Sequence, residues 1–250
     1  MGNYVGVDWA AGRWVAVALD GDGGEVSVHP TLLTVWHAHS GADLVLVDVP
    51  IGLPADGRRE CDELAREYLG ERASSVFLTP VREAVSAESY AEASRRNRER
   101  TGDGLSSQTW NILPRVREAD VFLREFPAAR DGSAAGATVR EAHPEVCFAA
   151  FAGEPLATSK HDDGGVEERL AVLGRVDPSL PDLYERTVES FVREPPRFAR
   201  RLSKTATDDI ADAAVLALAA RESGGDPSTL PADPPIDAAG HPMEICYHEP

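Results

Sequence analysis

Lysine is almost absent from this chain. Of its 25 basic residues only Lys160 and Lys204 are lysines, against 42 acids and a net charge of −17. Excess positive charge carries most nonspecific affinity for nucleic acid, so the simplest argument for such a partner is missing. It is not thereby excluded: an acid-rich, lysine-poor composition suggests a halophilic, high-salt cytoplasm, where screening acts within ~3 Å at 1 M. Cysteine is scarce as well. Cys61, Cys147 and Cys246 are odd in number, far apart and without C-x-x-C spacing, which speaks against a disulfide framework and for buried free thiols in a reducing compartment. No apolar run approaches the ~20 residues that cross a bilayer, and the chain does not open with a basic stretch followed by an apolar one. Neither secretion nor a membrane partner is expected, and a cytoplasmic location is. There is no internal repeat.

What is present describes a globular chain. Of its 250 residues 42% are hydrophobic and 27% charged, enough for one large domain with a real core. Tyr4 to Ala10 is an apolar run interrupted first by Asp8, as in a buried strand with an acid near its end. Trp14 to Asp20 predicts a second strand, and the turn residues Gly21-Asp22-Gly23-Gly24 lead into a third, Glu25 to His29. Residues 31–39 predict a short helix. Asp43 to Val49 is nearly all apolar, as a parallel strand covered on both faces would be, and Pro50-Ile51-Gly52-Leu53-Pro54 then ends regular structure. A right-handed crossover places this fourth strand beside the first, so Asp8 and Asp48 should close neighbouring strands on one sheet edge.

Residues 56–135 predict a helical insertion outside the sheet, with helices over Arg59–Leu69, Ala87–Arg100 and Ser107–Phe126. Its cluster Arg95, Arg96, Arg98 and Arg100 alternates with Glu92 and Glu99, which favours a solvated helix face over a phosphate-binding patch. Residues 131–136 predict a loop, Ala137–Glu141 a fifth strand again ending in an acid, and Pro144–Phe151 a helix opened by proline. Two or three helices follow between Gly164 and Arg201, then a last helix from about Thr205 to Ala220. The tail, 223–250, is rich in Pro, Asp and Gly, with an edge strand at Glu244–Tyr247.

The acids fall where a sheet edge could gather them. Asp209 and Asp212, three residues apart, share a helix face beside the apolar stripe of Ile210, Ala213 and Leu216. Acids bordering a core-bound stripe are costly unless paired or metal-bound, and clustered oxygens suit Mg²⁺ or Mn²⁺. Asp8, Asp48 and Asp212 are the expected ligands and catalytic acids, with Glu141 or Asp209 completing the set. Asp208 is assigned to a capping box with Thr205, and Asp209 also suits the helix dipole. His143 and Glu145 either support the ligands from behind or simply begin a helix. Arg59, Ser107 and Gln108 are candidate substrate contacts or helix-end residues.

The combination Gly6-Val7-Asp8, Asp48-Val49-Pro50-Ile51-Gly52-Leu53-Pro54, Glu141-Ala142-His143-Pro144-Glu145 and Asp208-Asp209-Ile210-Ala211-Asp212-Ala213 resembles the domain of unknown function 429 family. Arg59-Glu60-Cys61-Asp62, Ser74-Ser75-Val76-Phe77 and Ser107-Gln108 add to the likeness, which spans roughly residues 4–222. That family is described as predicted nucleases, so the resemblance implies an α/β, RNase H-like fold. Its sheet would be five-stranded and mixed, three antiparallel strands followed by parallel ones, flanked by helices in a single domain. It implies a nucleic-acid substrate and Mg or Mn as cofactor. Asp209-x-x-Asp212-Ala213 is similar to the late helix of RuvC-type resolvases, which supplies metal-binding acids opposite the first strand. The leading expectation is therefore a metal-dependent nuclease or phosphodiesterase. Two alternatives stand beside it. A binding protein could keep the fold without catalysis, its acids serving salt adaptation. A phosphotransferase of the sugar kinase and actin type ranks lower, because Trp9-Ala10-Ala11-Gly12-Arg13 offers no hydroxyl for a phosphate loop.

Overall fold

The computed structural model describes residues 2–21, 23–132, 136–195, 202–203 and 206–250. Its sheet begins with β1 (Tyr4–Ala10), which turns back through Ala11 and Gly12, both at positive φ (46° and 96°), into β2 (Arg13–Asp20). Two consecutive positive φ angles are what a two-residue hairpin requires. β3 (Gly23–His29) continues the meander, and α1 (Leu32–Ala38), capped by Thr31, carries the chain over to β4 (Leu44–Val47). β4 lies parallel to β1, as the crossover rule predicts, and β5 (Thr138–Glu141) lies parallel to β4. The order is β3-β2-β1-β4-β5, with the first three strands antiparallel: an RNase H-like α/β fold.

Between β4 and β5 come α2 (Glu60–Leu69), a 3₁₀ turn (Gly70–Ser75), α3 (Arg82–Val85), α4 (Tyr90–Thr101), α5 (Ser107–Glu125) and α6 (Ala128–Asp131). α7 (Pro144–Ala152), α8 (Gly165–Val176), α9 (Leu180–Val188) and α10 (Thr207–Glu222) follow, and β6 (Ser228–Leu230) pairs with β7 (Ile245–Tyr247) in a small second sheet. α4 starts three residues later than the sequence predicts, because the Ser89 hydroxyl accepts the Glu92 N–H and sets the helix start there. Its arginines pair with acids as expected: Arg95 with Glu99, Arg96 with Glu92, and Arg100 with Asp56 and Glu83.

The inserted helices are not a separate outer layer. Leu113, Val116, Ala119, Phe122 and Leu123 of α5 join Val5, Val7, Val45 and Val47 in the core under one sheet face. The other face is covered by α7 to α10, whose apolar side chains meet Val15, Val17, Leu44 and Leu46. The tail is likewise built in, since Asp237 accepts the Leu53 N–H at 2.8 Å and is bonded by Arg82. The three thiols are free and buried. Among the described residues no helix is long and apolar enough to cross a membrane.

One contact sets the distance between sheet and site helix. α10 is buried continuously from Ile210 to Ala220 and lies with its backbone directly on β1 at Gly6. A Cβ there would fall 2.1 Å from the Ala213 carbonyl oxygen and 2.2 Å from the Ala217 nitrogen. Neither is a side chain that can swing away, so Gly6→Ala must lift the helix. We expect a loss at or above the ~1–3 kcal/mol of an overpacked core, read as a lower urea midpoint. An unchanged midpoint would mean that the helix is not seated on the strand.

Candidate active site

Strand alternation decides which acids meet. Asp8 pairs across the hairpin with Val15, whose side chain faces α10. Val7, Val47 and Glu141 are register partners along β1, β4 and β5 and so share the opposite face. Asp48 follows Val47 just after β4 ends, its N–H bonded to the Val7 carbonyl at 2.9 Å. The expected strand to Val49 therefore stops two residues early, leaving Asp48 at the level of Asp8.

From the helix side α10 brings Asp209 and Asp212. Oxygens of Asp8, Asp209 and Asp212 lie within 4.8 Å of one another, and Asp48 is near enough for its charge to act on Asp8. Asp8 and Asp212 are 5% and 3% exposed. One Asp8 oxygen accepts the Trp9 N–H at 2.6 Å, while the other, Oδ2, is buried without a hydrogen-bond partner. Among the described residues the cation in contact is Lys160, from the loop between α7 and α8. Its Nζ stands 2.7 Å from Asp212 Oδ2 and 3.7 Å from both Asp208 and Asp209.

Glu141 borders the same cleft but is held differently. Its two oxygens accept from Arg59 at 2.7 and 2.8 Å and Oε2 also accepts the Ile51 N–H at 2.6 Å. Its one-residue offset from Asp48 in the pleat puts it on the other sheet face, so it is neutralised by Arg59 and is not part of the close acid set. Arg59 also bonds Asp62 at 2.5 Å and the Ile51 carbonyl at 2.8 Å, and is 2% exposed. It lines the cleft but has few donors to offer a substrate.

The cleft over these acids is about 560 Å³, well within the usual range for a small-molecule site. His143, Glu145 and Gln108 line it, whereas Ser107 does not. His143 points Nε2 at the Ser75 carbonyl (3.3 Å), its Nδ1 is buried without a partner, and burial pushes its pKa down. Glu145 accepts from the buried Arg169. The start of α10 differs from expectation: Ala206 occupies the cap position without a side-chain bond, and the capping role assigned to Thr205 falls outside the described residues. Asp208 instead faces Lys160 and His161, at 3.7 and 3.6 Å. The sequence reading missed Lys160, Arg72 and Arg115 on the cleft wall; the rarity of lysine was the only hint at the first.

The carboxylates resist ionisation. Burial, then repulsion from Asp48 and Asp212, holds Asp8 well above the ordinary range. Burial and Asp212 push Asp48 up to about 7, and burial, Asp8 and Asp208 push Asp209 up to about 8. A folded-state pKa raised above the unfolded value means that the native protein binds the extra proton. Stability from this source is therefore full near the unfolded pKa of ~4 and is lost as pH rises toward the folded one. In a chelator, we expect Tm to fall by roughly 5 °C between pH 6.5 and 8.5. The window avoids the charging of buried His143 below it. Asp209→Asn should flatten the fall, and a Tm that rises over this window would contradict the clustering.

A second group, Asp120, Asp237 and His241, also has ligand atoms within 4.8 Å of one another. There Arg82 bridges the two carboxylates at 2.7 and 2.5 Å and Arg124 stands 3.2 Å from Asp120, so the charge is already balanced.

The chain matches no curated protein and no solved structure. A family described as "protein of unknown function (DUF429)" matches it over residues 6–236. That span takes in β1 from Gly6 onward, the acids and the first half of the tail, and the chain belongs to this family.

Proposed function

We propose that this DUF429 member hydrolyses phosphodiester bonds with a divalent cation held by Asp8, Asp48, Asp209 and Asp212. The observation that carries the reading is the orphaned Asp8 Oδ2, buried among carboxylates that, among the described residues, Lys160 alone opposes. Buried acids with one cation between them are under-neutralised, and an all-oxygen donor set fits Mg²⁺ or Mn²⁺. Such an ion would supply Lewis acidity toward a phosphoryl oxygen and make a nearby water more acidic.

The chain's own groups have distinct tasks. The Trp9 N–H orients the Asp8 carboxylate, and the close seat of α10 on Gly6 sets where Asp212 stands. Asp48 and Asp209, whose pKa values lie near neutrality, give up their protons when a cation is taken. Lys160, partly exposed to the cleft, is positioned to leave Asp212 and meet a phosphoryl oxygen as negative charge grows there. The Lys160–Asp212 bond also favours a second reading, in which the ammonium itself neutralises the cluster and the protein binds without catalysis. Assaying a panel of phosphodiesters with Mg²⁺, with Mn²⁺ and in chelator separates them. Turnover that requires the ion is expected. No turnover, together with a Tm insensitive to both ions, would leave only the binding reading.

A further inference from the structure

Three arginines line the cleft and a fourth, Arg169, holds Glu145 of its wall; the four divide into two kinds. Arg59 and Arg169 are buried, with donors bound to Asp62, Glu141, Glu145 and backbone carbonyls. Arg72 and Arg115 make no hydrogen bond to any described residue. Their nearest acids are 3.7 Å away, Glu145 for Arg72 and Glu118 for Arg115, beyond hydrogen-bond reach. Yet the Nε of each is shut off from solvent with no acceptor. The guanidinium of Arg115 lies 3.8 Å over the centre of the Trp9 ring. That contact supplies cation–π attraction but no acceptor, so the guanidinium keeps donors for a phosphate, which such groups bind bidentately. Trp9 directly follows Asp8, so this arm is anchored on the strand that carries the first acid. Arg72 comes from the 3₁₀ turn after α2, while Arg115 comes from α5.

Resting on the phosphodiester reading above, we infer that the substrate is nucleotide-sized: a short phosphodiester whose neighbouring phosphate is gripped by Arg72 and Arg115 while the scissile one lies over Asp8. Size and charge agree. The cleft of about 560 Å³ matches small-molecule sites of ~300–1,000 Å³. Specific duplex interfaces instead cover ~1,000–2,500 Å² and are strongly positive. Here the net charge is −17, and of the dense Arg95–Arg100 run, Arg95, Arg96 and Arg100 are already paired with acids. Among the described residues that run leaves a duplex few unpaired cations with which to release counterions.

The test is calorimetric binding of dithymidylate with and without a 5′-phosphate, with Ca²⁺ present, to wild type, Arg72→Gln and Arg115→Gln. Wild type should bind the phosphorylated form roughly tenfold to a hundredfold tighter, as charged hydrogen bonds of ~1.5–3 kcal/mol imply. Each variant should lose most of that preference while binding the unphosphorylated form as wild type does. Equal affinity of wild type for the two dinucleotides, variants that keep the preference, or a DNA duplex that binds tighter than either would overturn the inference. Because binding is read without turnover, phosphate-dependent binding by a protein inert toward every diester would refute hydrolysis and leave the clamp standing.

Discussion

Asp8→Asn should bring turnover down by roughly a thousandfold, about 4 kcal/mol of barrier, and should erase the protein's response to Mn²⁺. In wild type, an ion at a hundred times its Kd adds ~2.7 kcal/mol, a rise of roughly 5–10 °C in Tm for a chain of this length. The variant's Tm should not move with the ion. The second half of the expectation is the sharper one. In chelator the Asn protein should be at least as stable as wild type, because the substitution removes a buried carboxylate repelled by Asp48 and Asp212 and keeps an acceptor for the Trp9 N–H. A side chain that merely supports the fold would lose stability under both conditions. A metal-responsive Asn variant would show that the ion binds elsewhere. Thermal scans with and without Mn²⁺ at pH 7.5, beside an assay on one diester, give both readings.

The legibility of these acids in the sequence follows from how each is placed. Asp8 and Asp48 could be read because each follows an apolar run that can only be a strand, and the crossover rule then makes those strands neighbours. Asp212 could be read because three-residue spacing on a buried helix needs no tertiary knowledge. Glu141 could not be placed on a sheet face. The pairing of Val47 with Glu141 depends on where β5 comes to rest after the long insertion, and one step of register exchanges the faces. Lys160 was hidden for another reason. It sits in an irregular loop 52 residues before Asp212, and no local pattern links a loop lysine to a helix acid. Arg72 and Arg115 were hidden by abundance, since arginine supplies nearly all the basic charge and only packing separates free guanidinium groups from bonded ones. The insertion was read as helical, but its role as the second layer depends on α5 meeting the sheet.

The largest loss of stability is expected from Arg59, outside the close acid set. Its guanidinium joins Glu141 at the end of β5, Asp62 in α2 and the Ile51 carbonyl. Glu141 in turn accepts the Ile51 N–H, and Asp62 accepts the Thr79 N–H at 2.7 Å. The loop from Val49 to Leu53 is buried without a ladder of its own, so these side chains satisfy part of its backbone. Arg59→Met leaves two buried carboxylates with no cation. Burial already pushes Glu141 up to about 7 against the pull of Arg59, so without that pull it must take a proton to stay inside. Breaking one side of a buried pair costs ~3–5 kcal/mol, and with two acids stranded we expect the upper end, a fall in Tm of roughly 10 °C or more. Arg59→Lys should recover little, because one ammonium cannot present the fork that two carboxylates and a carbonyl require. Adding Glu141→Gln to Arg59→Met should restore part of the loss, since it removes one stranded charge. If the double variant is no more stable than Arg59→Met, the penalty lies in lost packing and not in charge. Recovery would also carry a consequence for the site. Asp48 opens the loop that Arg59 and Glu141 hold, so the double variant should fold yet bind Mn²⁺ more weakly than wild type, a difference that titration at pH 7.5 can measure.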